Sequence, residues 1–347
     1  MNVKVLVIGG TRFIGRYIVN ELLRKGHKII IYHRGRNECE FIQKVEHMHG
    51  DRRDYTKFKK DMAKLSPDGV VDVIPLYPRD SKAIVDSFHG RIRSLVHISS
   101  GGVYGFRAFI PFKEEEQNLI DEARYPYAYS KRLCEQIIIE SQRLYEIPCV
   151  ILRLPAVYGP YDYSSREWFI IKRILNKRRH IIIPDGGFTL VHQFYVEDVA
   201  KAVAMALENP PTKICVYNIG HEQILNLKQI TRLIGKLMNY KWEEVKIPSE
   251  LIPYKNPFLF RGNLVFSTSK IKQELGFKET FSIEQGMRRT IDWFCKNPPP
   301  QEDEMHNVLF NYELEDRIIQ EYSNFVTHSQ QSFFKKIKIR EGSEDNR

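Results

Sequence analysis

The sequence predicts an α/β protein with a doubly wound parallel sheet and a smaller C-terminal lobe. An apolar, strand-like run at residues 3–9 leads directly into a glycine turn, which opens a helical pattern ending near residue 25. Further short apolar runs alternate with helical patterns as far as about residue 154, as in a parallel sheet built from strand–helix–strand units. With 347 residues, the chain is also long enough to bury a large core.

The predicted elements follow in order along the chain. Strands are expected at residues 3–9, 27–32, 45–49, 70–74, 92–99 and 148–154, with helices in most of the intervals. Beyond about residue 160, prolines and glycines interrupt shorter elements, which is typical of a second, less regular lobe. Two later helical patterns, at residues 196–208 and 282–295, are expected to return to the main sheet.

These elements predict the domain organisation. The main domain comprises residues 1–160, joined by 193–211 and 269–295, and the smaller lobe comprises 161–192 and 212–268. A run of three prolines ends the last of these helices, and a C-terminal extension follows over residues 296–347. Apolar residues at helical spacing between 308 and 326 indicate either a helix on the surface or an arm that stabilises a dimer.

The glycine turn is the first candidate site. Gly9 and Gly15 allow the backbone to approach a ligand closely, and the amino end of the following helix favours an anion. This pattern predicts a Rossmann-type site for a dinucleotide pyrophosphate, although Arg12 stands where the usual fingerprint has a further glycine. The turn residues predicted to contact the cofactor are Gly9, Thr11, Arg12, Phe13, Ile14 and Gly15.

The second strand indicates which dinucleotide is preferred. An acidic residue at the end of this strand binds the ribose hydroxyls of NAD and repels the 2′-phosphate of NADP. Here the strand leads into His33 and Arg34 with no carboxylate, and Arg12 and Arg34 could together hold a 2′-phosphate. The sequence therefore favours NADP, while NAD remains possible if both arginines face solvent.

A second candidate site combines Ser100 with Tyr127 and Lys131. Ser100 follows an apolar strand, and the tyrosine and lysine are four residues apart at the start of the next helical stretch. An ammonium group on the same helix face stabilises a phenolate, which would lower the pKa of Tyr127 and suit it to exchange a proton with a substrate hydroxyl.

Taken together, these motifs resemble the extended, epimerase-like branch of the short-chain dehydrogenase/reductase superfamily, the NAD-dependent epimerase/dehydratase family, over residues 1–295. The resemblance rests on the glycine turn, the Tyr127/Lys131 pair and the segments 99–105, 153–160, 195–200 and 267–277. Within that branch, the segments 9–15, 50–54 and 166–170 resemble an atypical subgroup that includes the chloroplast stem-loop-binding proteins, which act on RNA.

The resemblance implies roles for individual residues. Tyr127 would be the acid/base, Lys131 would hold the nicotinamide ribose, and Ser100 would align the reacting oxygen. Asp51 matches the position that binds adenine, and Arg52 beside it is also expected at the cofactor. The residues expected to bind a nucleotide-linked substrate are Tyr104, His192 and Arg261. We also expect a homodimer.

Several positions depart from the family pattern. Gly101 and Gly102 replace the Asp-Glu pair of the dehydratases, which argues against elimination of water. Ala156 replaces an asparagine that contacts the substrate diphosphate, and His192 lies where an arginine-led pair is common. Residues 75–77 also replace the small residues usual after the fourth strand. The catalytic core is thus retained in a chain whose substrate lobe is altered.

Composition limits the alternatives. No stretch of 18 apolar residues is present, so neither a membrane span nor a signal peptide is expected. Five scattered cysteines predict neither disulfides nor a metal site and indicate a cytoplasmic protein. The net charge of +10 suits an anionic cofactor and substrate, but it also suits nucleic acid.

Three functions therefore remain open. The first is an NADP-dependent epimerase or oxidoreductase that acts on a sugar nucleotide or a similar hydroxylated substrate. The second is an RNA-binding or RNA-processing protein on the same fold. The third is a non-catalytic, cofactor-binding regulatory protein, against which the intact set of Ser100, Tyr127 and Lys131 argues.

Overall fold

The computed structural model describes residues 2–37, 39–105, 109–116, 125–164, 166–253, 256–257, 262–299 and 309–344. The chain divides into two compact units. The first unit comprises Met1–Tyr163, Leu190–Leu225 and Arg261–Asn297, and the second comprises Ser164–Thr189, Asn226–Phe260 and Pro298–Arg347.

The strands and helices are numbered in chain order. The strands are β1 (Lys4–Ile8), β2 (Lys28–His33), β3 (Glu46–His49), β4 (Gly69–Asp72), β5 (Ser94–Ser100), β6 (Cys149–Leu154), β7 (Ala156–Tyr158), β8 (His180–Pro184), β9 (Leu190–Val191), β10 (Gln193–Tyr195), β11 (Cys215–Asn218), β12 (Leu225–Asn226) and β13 (Glu243–Ile247). The α-helices are α1 (Phe13–Arg24), α2 (Tyr55–Ala63), α3 (Pro78–Phe88), α4 (Pro126–Tyr145), α5 (Arg166–Leu175), α6 (Val196–Glu208), α7 (Leu227–Leu237), α8 (Ser269–Leu275), α9 (Ile283–Lys296) and α10 (Tyr312–Glu344).

A seven-stranded sheet forms the centre of the first unit, in the order β11-β6-β5-β4-β1-β2-β3. Every pairing in it is parallel. Strands β4 and β6 are buried along their whole length because helices cover both faces of the sheet, which explains their continuous apolar runs. Helix α1 packs against α6, while α2, α3 and α4 cover a core that contains Leu6, Phe58 and Ile84. The predicted fold class, a doubly wound α/β protein, is confirmed.

The strand pattern also shows what the sequence does not reveal. Six of the seven strands lie where the apolar runs place them, but β11 was not predicted, because its four residues lie between loops and carry no clear period. Its pairing with β6 brings residues 212–225 into the first unit, whereas the sequence assigns them to the smaller lobe. Residues 261–268 likewise cluster with the first unit.

The C-terminal extension belongs to the second unit. Arg173 on α5 and Glu315 on α10 are each 1% exposed, and Nε of Arg173 lies 3.2 Å from the Glu315 carboxylate. The same guanidinium donates to the carbonyls of Phe169 and Leu309 and lies 3.5 Å from the Phe169 ring centre. The first turns of α10 are therefore attached through a buried charge. Within the described ranges, no helix combines the length and apolar character needed to cross a bilayer.

Replacing Glu315 with alanine should lower the free energy of unfolding by about 3 kcal/mol, because it leaves the Arg173 charge buried without its carboxylate. Urea denaturation followed by circular dichroism measures this change. Glu313→Ala is the matched control, because Glu313 lies in the same first helical turn but is exposed. Equal effects of the two substitutions would contradict the anchoring role of Arg173.

Candidate functional site

In the glycine turn between β1 and α1, the backbone of Gly15 packs closely against the backbone of Gly9. Gly9 has a φ of +87°, and a Cβ on Gly15 would lie 2.1 Å from the carbonyl oxygen of Gly9. Only glycine fits at position 15. Arg12, however, precedes the helix with a φ of −125°, so its backbone does not require glycine. The turn therefore keeps its tight geometry although the fingerprint glycine at position 12 is absent.

A cavity of about 360 Å³ opens above this turn, within the range of ordinary ligand pockets. It extends from the turn across the ends of β1, β2 and β4. The predicted cofactor residues among its lining are Gly9, Thr11, Arg12, Phe13, Ile14, Gly15, Arg34, Asp51 and Arg52. The structure thus brings all nine of these residues to one cavity.

The outer part of the cavity is strongly basic. Arg34 and Arg36 are exposed beyond the end of β2 and line the cavity. Arg12 is also exposed, and its guanidinium lies 4.3 Å from the ring centre of Tyr163. Tyr163 lines the cavity as well and was missed by the sequence analysis, because nothing in its neighbourhood distinguishes it from the other tyrosines of that region.

Arg52 uses its side chain differently from its neighbours. It is 8% exposed and donates two hydrogen bonds to Asp72, at 2.5 and 3.0 Å, while its Nε lies 3.4 Å from Asp80. Burial lowers the pKa of Arg52, but the carboxylate of Asp72 outweighs this effect and raises it. The guanidinium charge is therefore neutralised within the protein, and Arg52 supports the cavity floor rather than offering a free cation.

Asp80 holds the segment that borders the cavity after β4. One carboxylate oxygen accepts hydrogen bonds from the backbone N–H groups of Leu76 and Tyr77, both at 2.9 Å. The other oxygen accepts from the Tyr55 hydroxyl at 3.2 Å. Because Leu76 lines the cavity, this network fixes part of the cavity wall.

Ser100 and Tyr127 meet at the carboxyl edge of the sheet. Ser100 ends β5, and its Oγ accepts a hydrogen bond from the N–H of Gly102 at 3.1 Å. Tyr127 lies in the first turn of α4, and its interaction with Ser100 lowers the pKa of the phenol. Burial around the phenol has the larger effect and raises its pKa, although the residue as a whole is 56% exposed.

Lys131 contacts backbone carbonyls instead of supporting Tyr127. Its Nζ donates to the carbonyl oxygens of Ile98, at 2.5 Å, and Pro75, at 3.1 Å. Burial lowers the pKa of Lys131 to about 8. Lys131 is not among the groups that shift the pKa of Tyr127, which differs from the expected depression of that pKa by the ammonium group. The reason is that Lys131 points inward to the sheet edge, where two carbonyls accept hydrogen bonds from its ammonium group.

The catalytic candidates adjoin the cavity through the segment after β4. The hydroxyl of Ser130, one residue before Lys131, donates to the carbonyl of Leu76 at 2.6 Å. The amino end of α4 is therefore attached to the segment that forms the cavity wall, and Ser100, Tyr127 and Lys131 lie along the same sheet edge as the glycine turn.

The model of the NAD dependent epimerase/dehydratase family matches residues 5–220, which include the glycine turn, Ser100, Tyr127 and Lys131. The chain belongs to this family. The chloroplast stem-loop binding protein of 41 kDa b from Arabidopsis thaliana is 26% identical over 302 residues, covering 82% of this chain and 77% of that protein.

Two further comparisons concern epimerases. A putative UDP-glucose 4-epimerase of Methanocaldococcus jannaschii is 28% identical over 317 residues, covering 84% of this chain and 99% of that protein. The solved structure of UDP-glucose 4-epimerase from Bifidobacterium longum, in complex with NAD+ and UDP, aligns with a TM-score of 0.71 at 19% identity. That alignment covers 85% of this chain and 99% of the solved one.

Within this epimerase/dehydratase family, the glycines after Ser100 have a structural explanation. A Cβ on Gly101 would lie 2.1 Å from the ring of Phe266, so no larger residue fits unless that ring moves. The carboxylates that the dehydratases carry at positions 101 and 102 therefore have no room at the first of them.

Two of the residues predicted to bind substrate are buried and form hydrogen bonds with other residues of the chain. Tyr104 is 1% exposed, receives a hydrogen bond from Arg153 at 2.7 Å and donates one to Asn218 at 2.8 Å. His192 accepts from the N–H of Phe266 at 3.1 Å, and its other ring nitrogen lies 2.9 Å from the carbonyl of His221. Burial lowers the pKa of His192 to about 4, so it is neutral. Neither lines the described cavity, and Arg261 lies outside the described residues.

Proposed function

We propose that this protein is an NAD(P)-dependent epimerase or oxidoreductase that acts on a nucleotide-linked sugar or a similar hydroxylated substrate. The observation that carries the proposal is that Ser100, Tyr127 and Lys131 lie along the sheet edge that also forms the glycine-turn cavity. An acid/base group beside a dinucleotide-type cavity is the arrangement that oxidation or reduction of a hydroxyl-bearing carbon requires.

The residues around the cavity fit a dinucleotide. Glycine at positions 9 and 15 lets the turn close tightly in front of α1, and the amino end of this helix favours an anion such as phosphate. Asp51 would accept from the adenine, and Arg12 and Arg34 would hold a 2′-phosphate, which favours NADP. When bound, the nicotinamide supplies hydride transfer.

Each catalytic candidate then has a physical role. Tyr127 would take or return the proton of the substrate hydroxyl, and Ser100 would donate a hydrogen bond to the reacting oxygen. Lys131 would hold the nicotinamide ribose, as in the family, while its two carbonyl contacts position the segment after β4. The crowding at Gly101 favours epimerisation or reduction over dehydration.

The relatives support the substrate class. One is named as a putative UDP-glucose 4-epimerase, and another solved epimerase contains NAD+ and UDP. The basic rim formed by Arg34 and Arg36 is also suited to anionic ligands.

The test is to incubate the purified protein with a panel of UDP- and dTDP-hexoses, with and without added NADP+ or NADPH. An epimer of unchanged mass would identify an epimerase, and a product lighter by two hydrogens, formed together with NADPH from NADP+, would identify an oxidoreductase. If neither dinucleotide binds, and no sugar nucleotide is converted, the proposal is wrong.

Cofactor preference has its own prediction. Arg34→Ala should weaken NADPH binding about tenfold, because it removes a charge-assisted contact to the 2′-phosphate, and should leave NADH binding nearly unchanged. Fluorescence titration with each cofactor measures both affinities. Arg24→Ala removes the same charge at the far end of α1 and serves as the control. Tighter binding of NADH than of NADPH to the unaltered protein would overturn the NADP assignment.

RNA binding is the second candidate, and the observation that favours it is the similarity to the stem-loop binding protein over 82% of this chain. The net charge of +10 agrees with it. A filter-binding assay with a stem-loop RNA should then show retention that falls steeply with salt. No retention at low salt would exclude this function.

A further inference from the structure

Three histidines lie together at the edge of the central sheet. His33 ends β2, and His47 and His49 lie two residues apart on β3. The parallel register pairs His33 with His49 and Ile31 with His47, so all three imidazoles lie on one face of the sheet. One ring nitrogen of each lies within 4.8 Å of the others.

The cluster combines one buried histidine with two exposed ones. His33 is 7% exposed, whereas His47 and His49 are both exposed. The ring centre of His33 is 5.1 Å from that of His47 and 4.6 Å from that of His49. The buried imidazole of His33 therefore lies close to both exposed imidazoles, those of His47 and His49.

The closest contact shows how a metal ion would fit. Nε2 of His33 lies 2.9 Å from Nδ1 of His47, so one proton is shared between two nitrogens that face each other. A tetrahedral zinc ion bound at 2.0–2.1 Å holds its nitrogen ligands about 3.4 Å apart. This spacing lies between the 2.9 Å contact and the 4.8 Å limit of the cluster, so small rotations of the two exposed rings suffice.

Metal binding also requires a change of tautomer. Nδ1 of His33 lies 3.3 Å from the N–H of Gly35 as its acceptor, which places the ring proton on Nε2. With a metal on Nε2, the proton moves to Nδ1 and this long contact is lost. The cost is small compared with the formation of three metal–nitrogen bonds.

We propose that His33, His47 and His49 bind one divalent transition-metal ion of the zinc, nickel or copper class, with a further position left for water or an anion. Three neutral imidazoles suit these metals and do not suit Mg²⁺ or Ca²⁺, which prefer oxygen ligands. Arg34 and Arg36, close in sequence to His33, favour an anion over a cation as the additional ligand. The spacing of the cysteines in the sequence predicts no metal site. The histidine site has no such spacing signal, because the pairing of β2 with β3 brings its residues together.

The site does not depend on the proposed enzymatic function, and it is tested separately. Isothermal titration of the full-length, untagged protein with ZnCl₂ should give one ion per chain, and MgCl₂ should give no binding. His47→Gln and His49→Gln should each weaken zinc binding by at least about tenfold. Both residues are exposed, so an unchanged urea midpoint will show that the variants fold.

The control variant is His328→Gln, which removes an exposed histidine on α10 and should leave zinc affinity unchanged. Co²⁺ gives a second measurement, since a site built from three imidazoles should produce a visible absorption band that both cluster variants lose. The proposal is overturned if zinc does not bind, or if it binds the unaltered protein and the two cluster variants with equal affinity.

Discussion

Replacing Tyr127 with phenylalanine should lower turnover of a nucleotide-sugar substrate by about 10²–10⁴-fold, because it removes the group that exchanges a proton with the substrate hydroxyl. The fold should tolerate the change, since the residue is 56% exposed. Affinity for NADPH should stay within about twofold, so the loss should be in kcat. Steady-state kinetics and a cofactor titration on the same sample separate the two effects.

Tyr145→Phe is the matched control for this substitution. Tyr145 ends the same helix, is 50% exposed and stacks on His89, far along α4 from the first turn. Its hydroxyl should be dispensable for turnover. If Tyr127→Phe keeps more than about a third of the activity, or if Tyr145→Phe loses as much, Tyr127 is not the acid/base.

The fold follows from local sequence patterns to a large extent. The run from Val3 to Gly15 predicts a strand, a turn and a helix because each step has its own local signal: β-branched residues, glycines and an apolar stripe. The crowding of Gly15 against the carbonyl of Gly9 is the physical reason for the glycine spacing. The same local reasoning misses β11, which exists because β6 offers a free edge rather than because its own four residues prefer a strand.

The sequence predicts which residues lie in the candidate site, but it does not predict which partners their side chains contact. The four-residue spacing places Tyr127 and Lys131 in the same region of α4, as expected. The direction of the lysine is set by the carbonyls of Pro75 and Ile98, which are 56 and 33 residues away in sequence. Spacing along one helix cannot show such partners. The tyrosine and the lysine therefore have different surroundings in this structure: Tyr127 is exposed, and Lys131 is buried at the sheet edge.

The adjacent arginines at positions 52 and 53 are a second case in which the sequence does not show the partner of a side chain. Arg52 is buried against Asp72, while Arg53 is exposed and its guanidinium lies 5.3 Å from the ring centre of Tyr77. Nothing in the sequence distinguishes the two, because the partner of Arg52 lies 20 residues further on, at the end of β4. The proportion of basic residues consequently overstates the free positive charge at the cavity.

Replacing Asp72 with asparagine should lower the free energy of unfolding by about 3–5 kcal/mol. Asp72 is fully buried, and the substitution keeps its shape while removing the charge that balances the Arg52 guanidinium. The only other carboxylate on Arg52 in the described part of the chain is Asp80, at 3.4 Å, and the oxygen that faces Arg52 already accepts a hydrogen bond from the Tyr55 hydroxyl. Urea denaturation at neutral pH measures the loss.

Asp86→Asn is the control that removes a carboxylate charge from the surface instead of from the interior. Its side chain is 28% exposed and it pairs with Lys59 and Lys82 on the surface, so its loss should cost at most about 1 kcal/mol. The double variant Arg52→Gln/Asp72→Asn removes the guanidinium charge together with its main carboxylate, and Asp80 keeps its hydrogen bonds from Tyr55, Leu76 and Tyr77. This variant should therefore be more stable than Asp72→Asn alone. If the second substitution instead adds a further loss, the destabilisation comes from packing at the cavity floor and not from an uncompensated charge.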